Sequence, residues 1–379
     1  MKASKIKIFL IIYIFLFPVG FSNVIVAQDS TSAATISIVG DLMCHSVQFE
    51  YSKVEADSFD FNPVYRLVKK YLSSSDFTFG NLETVTAGKD NKYSGYPRFN
   101  SPDSYISALK NTGFDLLTTA NNHALDKSEK GVLRTIKILN ENEINYNGTY
   151  ISRNDRDSLR IFDIKGIKIA FLAFSYGTNG HKIPKVKPYL INLINFAQMK
   201  SDISKAKMSG SDLVIVHLHY GTEYLREPDK FEKKVVDSLK NYGADIIIGG
   251  HPHVIQPLKY FQSENSSLDR GFVAYSMGNF FSNQRWRYSD AGVILTLSIE
   301  KNFATGKIRI SKIDFIPTWV FKGKTQRGNE FVIIPSQFYY TNEVMNYLSK
   351  KDFGEMIQAF SDTRQILLKY FAENKSDSK

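Results

Sequence analysis

Ile246-Ile247-Ile248-Gly249-Gly250-His251-Pro252-His253 is the stretch from which the fold is read. A short run of branched apolar residues, bounded by a turn, spells a buried strand. The two glycines let the backbone turn tightly and approach a ligand. The two histidines, separated by one proline, can address two adjacent metal ions. A strand that runs straight into ligand-capable residues is the pattern of an α/β sheet, where ligands bind beyond the carboxyl ends of the strands.

The same pattern recurs outward from this stretch. Asp41 follows the apolar run 36–39, and Asn81 and Glu83 follow 77–79. Asn121, Asn122 and His123 follow 116–119, and His217 and His219 follow 213–216. Five strand ends would thus converge on one place. The chain has 7 histidines, and His45, His123, His217, His219, His251 and His253 all lie at or just after these ends. Scattered packed histidines do not gather in this way, so a metal and general-acid site is expected. The amide oxygen of Asn122 can ligate a hard cation, and the imidazole of His123 can donate a proton. His217 and His219 are two apart on an extended segment and point the same way. His219 is favoured because it lies nearer the strand's carboxyl end, with Glu223 as its expected acceptor partner. A mixed nitrogen and oxygen donor set suits manganese, zinc or iron better than calcium.

Between the strands lie helical patterns. Spacing predicts helices over 64–72, 102–111 with Ser101 as N-cap, 130–140 and 231–242. Strands are expected at 167–174 and 272–275, and 293–299 with 308–315 reads as a closing antiparallel pair. The alternation argues for one α/β domain over 35–325, built on a largely central sheet. Residues 326–379 read as a C-terminal helical extension with a polar tail.

Lys2, Lys5 and Lys7 precede an unbroken apolar run at 8–17, and Ala27 stands before polar Gln28. This is the layout of a secretory signal peptide over 1–27, shorter than the span a membrane helix needs. An exported protein is expected, in the periplasm, at the cell surface or outside the cell; an uncleaved segment would anchor it to a membrane. The formal net charge of +10 falls to +7 once the three leading lysines are removed. That moderately basic body suits an anionic envelope polymer. No basic run interleaved with aromatics suggests a nucleic-acid groove. The single cysteine, Cys44, excludes an internal disulfide and reads as buried filler.

Several runs carry a resemblance to a known family. They are Gly40-Asp41-Leu42-Met43, Asn81-Leu82-Glu83-Thr84, Ala120-Asn121-Asn122-His123-Ala124-Leu125-Asp126, His219-Tyr220-Gly221-Thr222-Glu223-Tyr224, Gly250-His251-Pro252-His253 with the following Val254-Ile255-Gln256-Pro257, and Tyr275-Ser276-Met277-Gly278-Asn279-Phe280. The chain resembles the capsule-synthesis CapA family, whose members look like calcineurin-type metallophosphoesterases. The resemblance implies a four-layer α/β/β/α sandwich and two divalent metal ions. It implies Asp41 and His253 as ligands of the first metal, Glu83 or Asn81 in the bridging position, and Asn122, His219 and His251 as ligands of the second. His123 would be the general acid, and His45, His217 and Asn279 are further candidates near the site. Two departures stand out: Met43 occupies the place of a customary histidine, and the Asn81-Leu82-Glu83 run replaces a bridging aspartate. The implied role is metal-dependent phosphoesterase-like chemistry in the synthesis, anchoring or export of an anionic capsule polymer such as poly-γ-glutamate, with membrane proteins of capsule synthesis as partners. The alternatives are a non-catalytic envelope protein that uses the groove for binding, and a plain phosphomonoesterase or nucleotidase acting on a small phosphate-containing substrate.

Overall fold

In the computed structural model, which describes residues 31–338 and 342–376, side-chain alternation along the first strand sets the architecture. The expected signal segment 1–27 lies outside the described residues. The strands in chain order are β1 (Thr31–Leu42), a small hairpin of β2 (Lys53–Glu55) and β3 (Ser58–Phe59), β4 (Phe77–Leu82), β5 (Leu116–Thr118) and β6 (Asn145–Asn147). There follow β7 (Arg160–Ile164), β8 (Ile167–Ser175), β9 (Leu213–His219), β10 (Ile246–Gly250), β11 (Leu258–Phe261) and β12 (Gly271–Ala274). The last are β13 (Asn279–Phe281), β14 (Ala291–Asn302), β15 (Ile308–Thr325) and β16 (Gly328–Pro335).

Ala34, Ile36 and Ile38 of β1 face one way and Val39 the other, because side chains alternate along a strand, and a register irregularity after Ile38 brings Leu42 to the same side as Val39. The first set packs against Ile169, Phe171, Ile215, Ile246 and Ile248 of a second sheet. The second set packs against Val64, Tyr105, Leu109, Val132 and Ile136 on helices. The far face of the second sheet, with Leu172, Val214, Val216 and Ile247, is covered by Met199 and Ile203 of helix Phe196–Met208 and by Val235 and Leu239 of helix Lys230–Tyr242. Helices, sheet, sheet, helices: the fold is a four-layer α/β/β/α sandwich. The single central sheet suggested by the alternation is therefore two. Strands buried on both faces read alike in sequence, and only their pairing separates them.

The first sheet runs β16-β15-β14-β1-β4-β5-β6, with β13 beside β1, and the second runs β11-β12-β10-β9-β8-β7. β1, β4, β5 and β6 are parallel, as are β8, β9, β10 and β12. The carboxyl ends of β1, β4 and β5 meet those of β9 and β10 at one rim.

Three expectations change in detail. Helix Asp103–Thr112 has Pro102 as its N-cap, because the Ser101 hydroxyl is engaged with Thr84 Oγ1 at 2.7 Å. Residues 64–72 form two short helices, Asn62–Tyr65 and Lys69–Leu72. The stretch after 325 opens with a strand, β16, which pairs antiparallel with β15 before the helix Lys350–Ser376. Its residues 331–334, Phe, Val, Ile and Ile, bury on both faces and favour a strand. Cys44 is buried and unpaired. Among the described residues no helix is long and apolar enough to cross a membrane.

Candidate metal centre

Asp41 ends β1 beside a register irregularity between Ile38 and Asp41 against β4. Its fully buried carboxylate is held from three sides. Asn81 Nδ2 donates to Oδ1 at 2.8 Å, the His251 backbone N–H donates to Oδ2 at 3.1 Å, and His253 Nδ1 lies 3.3 Å from Oδ2. Burial alone would raise this carboxyl, but His253, His219 and Asn81 hold it well below the usual carboxylate range.

Glu83 follows β4 and is also fully buried. His219 Nε2 stands 3.4 Å and His253 Nε2 3.9 Å from Glu83 Oε1, yet neither carboxylate oxygen has a hydrogen-bond partner in the protein. Burial and the neighbouring Asp41 charge push its pKa up to about 8. Ligand atoms of Asp41, Glu83 and His219 all lie within 4.8 Å of one another, and so do those of Glu83, His251 and His253. The two groups share Glu83.

The imidazoles are fixed by their surroundings. Asn81 Nδ2 lies 3.1 Å from His219 Nδ1, and His219 Nε2 donates to Asn122 Oδ1 at 2.9 Å. His253 Nδ1 also faces Asn279 Oδ1 at 3.1 Å, and Asn279 is itself tethered to Gln284 and the Ser289 carbonyl. His251 Nδ1 is buried without a partner. His251 has φ of 93° and His253 of 58°, left-handed values that are uncommon outside glycine and that recur at functional sites. Burial drives His219 down to about 3, and burial with the neighbouring imidazoles drives His251 down to about 2. His253 goes the other way: burial opposes its charge, but Glu83 and Asp41 raise it to about 9.

His123 stands apart from both three-residue groups. Its Nδ1 donates to Asp126 Oδ2 at 2.7 Å, and the same oxygen accepts from the Phe99 backbone N–H at 2.7 Å. The Phe99 ring meets the imidazole edge-on at 4.7 Å. A carboxylate that fixes one imidazole nitrogen leaves the other free for proton transfer.

The remaining candidates divide. Asn81 orients Asp41 and His219. His217 is buried one step down β9, with Nδ1 unpartnered and its pKa pushed by burial to about 3. His45 is the N-cap residue of helix Ser46–Tyr51; its Nδ1 lies 3.1 Å from Gln48 Oε1 and 3.3 Å from the Asn283 backbone N, alternative partners for one nitrogen, and His45 belongs to neither three-residue group. Glu223 does not orient His219, whose nitrogens face Asn81 and Asn122; it is exposed at the mouth.

Sequence reasoning passed over Asp126, Tyr176 and Asn179. The Tyr176 ring lies 4.6 Å from that of His251, and Asn122 Nδ2 donates to Asn179 Oδ1 at 3.2 Å. Applying the strand-end rule to β8, which stops at Ser175, would have found Tyr176. Asp126 lies three residues beyond His123, a spacing that one turn brings together.

The family described as "Bacterial capsule synthesis protein PGA_cap" matches residues 35–284, a span that holds every residue of the centre. The capsule biosynthesis protein CapA of Bacillus anthracis is 30% identical over 271 residues, 69% of this chain and 62% of that protein. The PGA biosynthesis protein CapA of Bacillus subtilis is 28% identical over 75% of this chain and 72% of that protein. The match thus spans less than two thirds of the Bacillus anthracis relative. Among solved structures, the NAD nucleotidase of Haemophilus influenzae superposes with a TM-score of 0.48 at 14% identity, covering 92% of this chain and 67% of that one.

Proposed function

The chain belongs to the bacterial capsule synthesis protein PGA_cap family, and from that premise we propose that it is an exported, metal-dependent hydrolase of the phosphoesterase type. In this reading it acts in making, anchoring or exporting an anionic capsule polymer such as poly-γ-glutamate, with membrane proteins of capsule synthesis as partners. The observation that carries the reading is Glu83, a fully buried carboxylate with both oxygens unpartnered, set among His219, His251 and His253. A buried carboxyl without hydrogen-bond partners is costly to ionise, and a shared cation offsets that cost. His251 Nδ1, buried and equally unpartnered, supports the same fit.

Asp41, Glu83, Asn122, His219, His251 and His253 would hold the ions, and their mixed donors favour manganese, zinc or iron. Bound there, such ions supply Lewis-acid charge to a phosphoryl oxygen and acidify water. The chain's own groups do the rest. Asn81 and the His251 N–H fix the Asp41 carboxylate. Asp126 holds His123 Nδ1, so Nε2 can give a proton to the departing oxygen. The buried strand ends exclude bulk water, which strengthens these electrostatic contacts. Export is supported by the lysines and apolar run of the first 27 residues.

A second reading has one observation behind it. Met43 stands where a nitrogen ligand is customary, and His45 is engaged elsewhere, so the first ion would lack a donor. The groove would then bind polymer or partner proteins without turnover. Elemental analysis of the purified mature chain, followed by hydrolysis of 4-nitrophenyl phosphate, decides between them. Metal with turnover supports the hydrolase. Polymer binding without metal or turnover supports the groove.

A further inference from the structure

Among the described residues six aromatic side chains are substantially exposed, and four of them, Tyr96, Tyr176, Tyr224 and Trp286, stand at the mouth of the metal centre. Each comes from a different loop. The Tyr96 ring lies 6.5 Å from His123, Tyr176 4.6 Å from His251 and Tyr224 6.1 Å from His253, while Trp286 meets Tyr224 edge-on at 5.3 Å. Exposed aromatic surface gathered at a cleft marks a binding surface, not a packing remainder.

The rings are braced in place. Arg287 donates from two nitrogens to the two Asp362 oxygens at 2.9 Å each, and Arg226 Nη2 donates to the Asp362 carbonyl at 3.0 Å. Helix Lys350–Ser376 thereby ties down the loops that carry Tyr224 and Trp286. Gln284 Nε2 donates to Tyr224 Oη at 3.3 Å. Holding the rings in position before a ligand arrives lowers the entropy cost of binding.

The chemistry of the collar selects its occupant. Arg226 and Arg287 stack on Tyr288, and among the described residues no lysine or arginine stacks on any of the four collar rings. Glu223 is exposed beside Tyr224 and adds negative charge to the mouth. Tyrosine and tryptophan present flat apolar faces with polar edges, and Asn179 and Gln284 add amide groups beside them. A sugar ring matches this set: its C–H face stacks on an aromatic ring while its hydroxyls reach the amides.

We propose that the collar is a carbohydrate subsite, which seats a sugar ring of the group attached to the reacting phosphate. The assignment rests on the phosphoesterase reading of the same centre, but its test does not. The chain has 2 tryptophans: Trp286, half exposed in the collar, and Trp319, fully buried with its Nε1 donating to Asp290 at 2.9 Å. Acrylamide quenching of tryptophan fluorescence therefore reports on Trp286. Linear oligosaccharides of glucose and of N-acetylglucosamine are titrated at millimolar concentration into metal-loaded and chelator-stripped protein. At least one series is expected to shield Trp286 in both forms, and Tyr224→Ala and Tyr176→Ala are expected to weaken that binding about tenfold. Unchanged Trp319 emission and thermal melting verify that the variants fold. Absence of shielding by either series overturns the proposal, as does stronger shielding by poly-γ-glutamate than by any oligosaccharide. If shielding persists while metal and phosphatase turnover are absent, the phosphoesterase reading fails and the carbohydrate subsite stands. If turnover is present without shielding, the reverse holds.

Discussion

The Asp41 carboxylate and the Gly250 backbone occupy adjoining space: a Cβ on residue 250 would stand 2.6 Å from Asp41 Oδ1. That oxygen already accepts from Asn81, and Oδ2 from the His251 N–H, so the carboxylate has little freedom to step aside. Gly250→Ala is therefore expected to displace a prospective ligand without emptying the core. Metal affinity should fall about 10–100-fold, the range for disturbed support of a ligand, and thermal stability should fall as well, since overpacking costs about 1–3 kcal/mol. Equilibrium dialysis on the folded variant checks this; wild-type affinity would count against Asp41 as a ligand.

Removing the general acid should separate metal binding from chemistry. His123→Ala is expected to keep the metal content of wild type while turnover drops by about 10²–10⁴-fold. Asp126→Asn should fall between the two, since it weakens the hold on His123 Nδ1. Both losses should shrink with a substrate whose leaving group is already acidic. His251→Ala and His253→Ala should instead lose metal. Metal content and rate are measured on the same preparations, and loss of metal from His123→Ala would make that residue a ligand.

Glu83→Gln should trade function for stability. The substitution removes a buried carboxyl that burial and the neighbouring Asp41 charge make costly to ionise. The metal-free variant is expected to melt above metal-free wild type, and metal is expected to raise the melting temperature of wild type alone. Thermal melts with and without manganese or zinc test both halves. A variant less stable than wild type in chelator would show that Glu83 is already satisfied without an ion.

Protons and metal should compete. In the metal-free protein Glu83 and Asp41 hold His253 up to about 9, and burial with the Asp41 charge holds Glu83 up to about 8. His253 contributes stability that is fully present below its ordinary value near 6.5 and is lost as pH rises through about 9. Glu83 acts in the same direction, because its protonated form suits the buried site and its ionised form costs stability above about 8. Metal-free protein should thus weaken from neutral pH toward 9, while apparent metal affinity rises over the same window and uptake releases protons. Calorimetry in buffers of different ionisation enthalpy reads the proton release; heats that do not depend on buffer would refute the competition.

Much of the centre was legible in sequence because strand ends are local features. An apolar run followed by Asp41, by Glu83, by Asn122-His123 or by His251-Pro252-His253 shows where the chain leaves the core. The family motifs over 35–284 reinforce the same positions. Less legible was anything that depends on what a side chain meets across space. His45 looked available by its place in the sequence, but its Nδ1 faces Gln48 and Asn283 and it joins neither three-residue group. Glu223 looked like a partner for His219, but Asn81 and Asn122 take that ring.

By itself the sequence determined the alternation of strands and helices, the strand ends that bear ligand-capable groups, and the glycines and proline that shape the 249–253 turn. These follow from periodicity and backbone chemistry, which act within a few residues. The division of the strands into two sheets arises in the folded chain, because pairing joins residues as distant as Asp41 and Asn279. Only the tertiary structure decided that Glu83 is left without a hydrogen-bond partner, and that rings from four separate loops surround one mouth. Burial and charge are properties of the whole neighbourhood, so a carboxylate that would be an ordinary solvated acid in the unfolded chain becomes, between His219 and His253, a group that favours a cation.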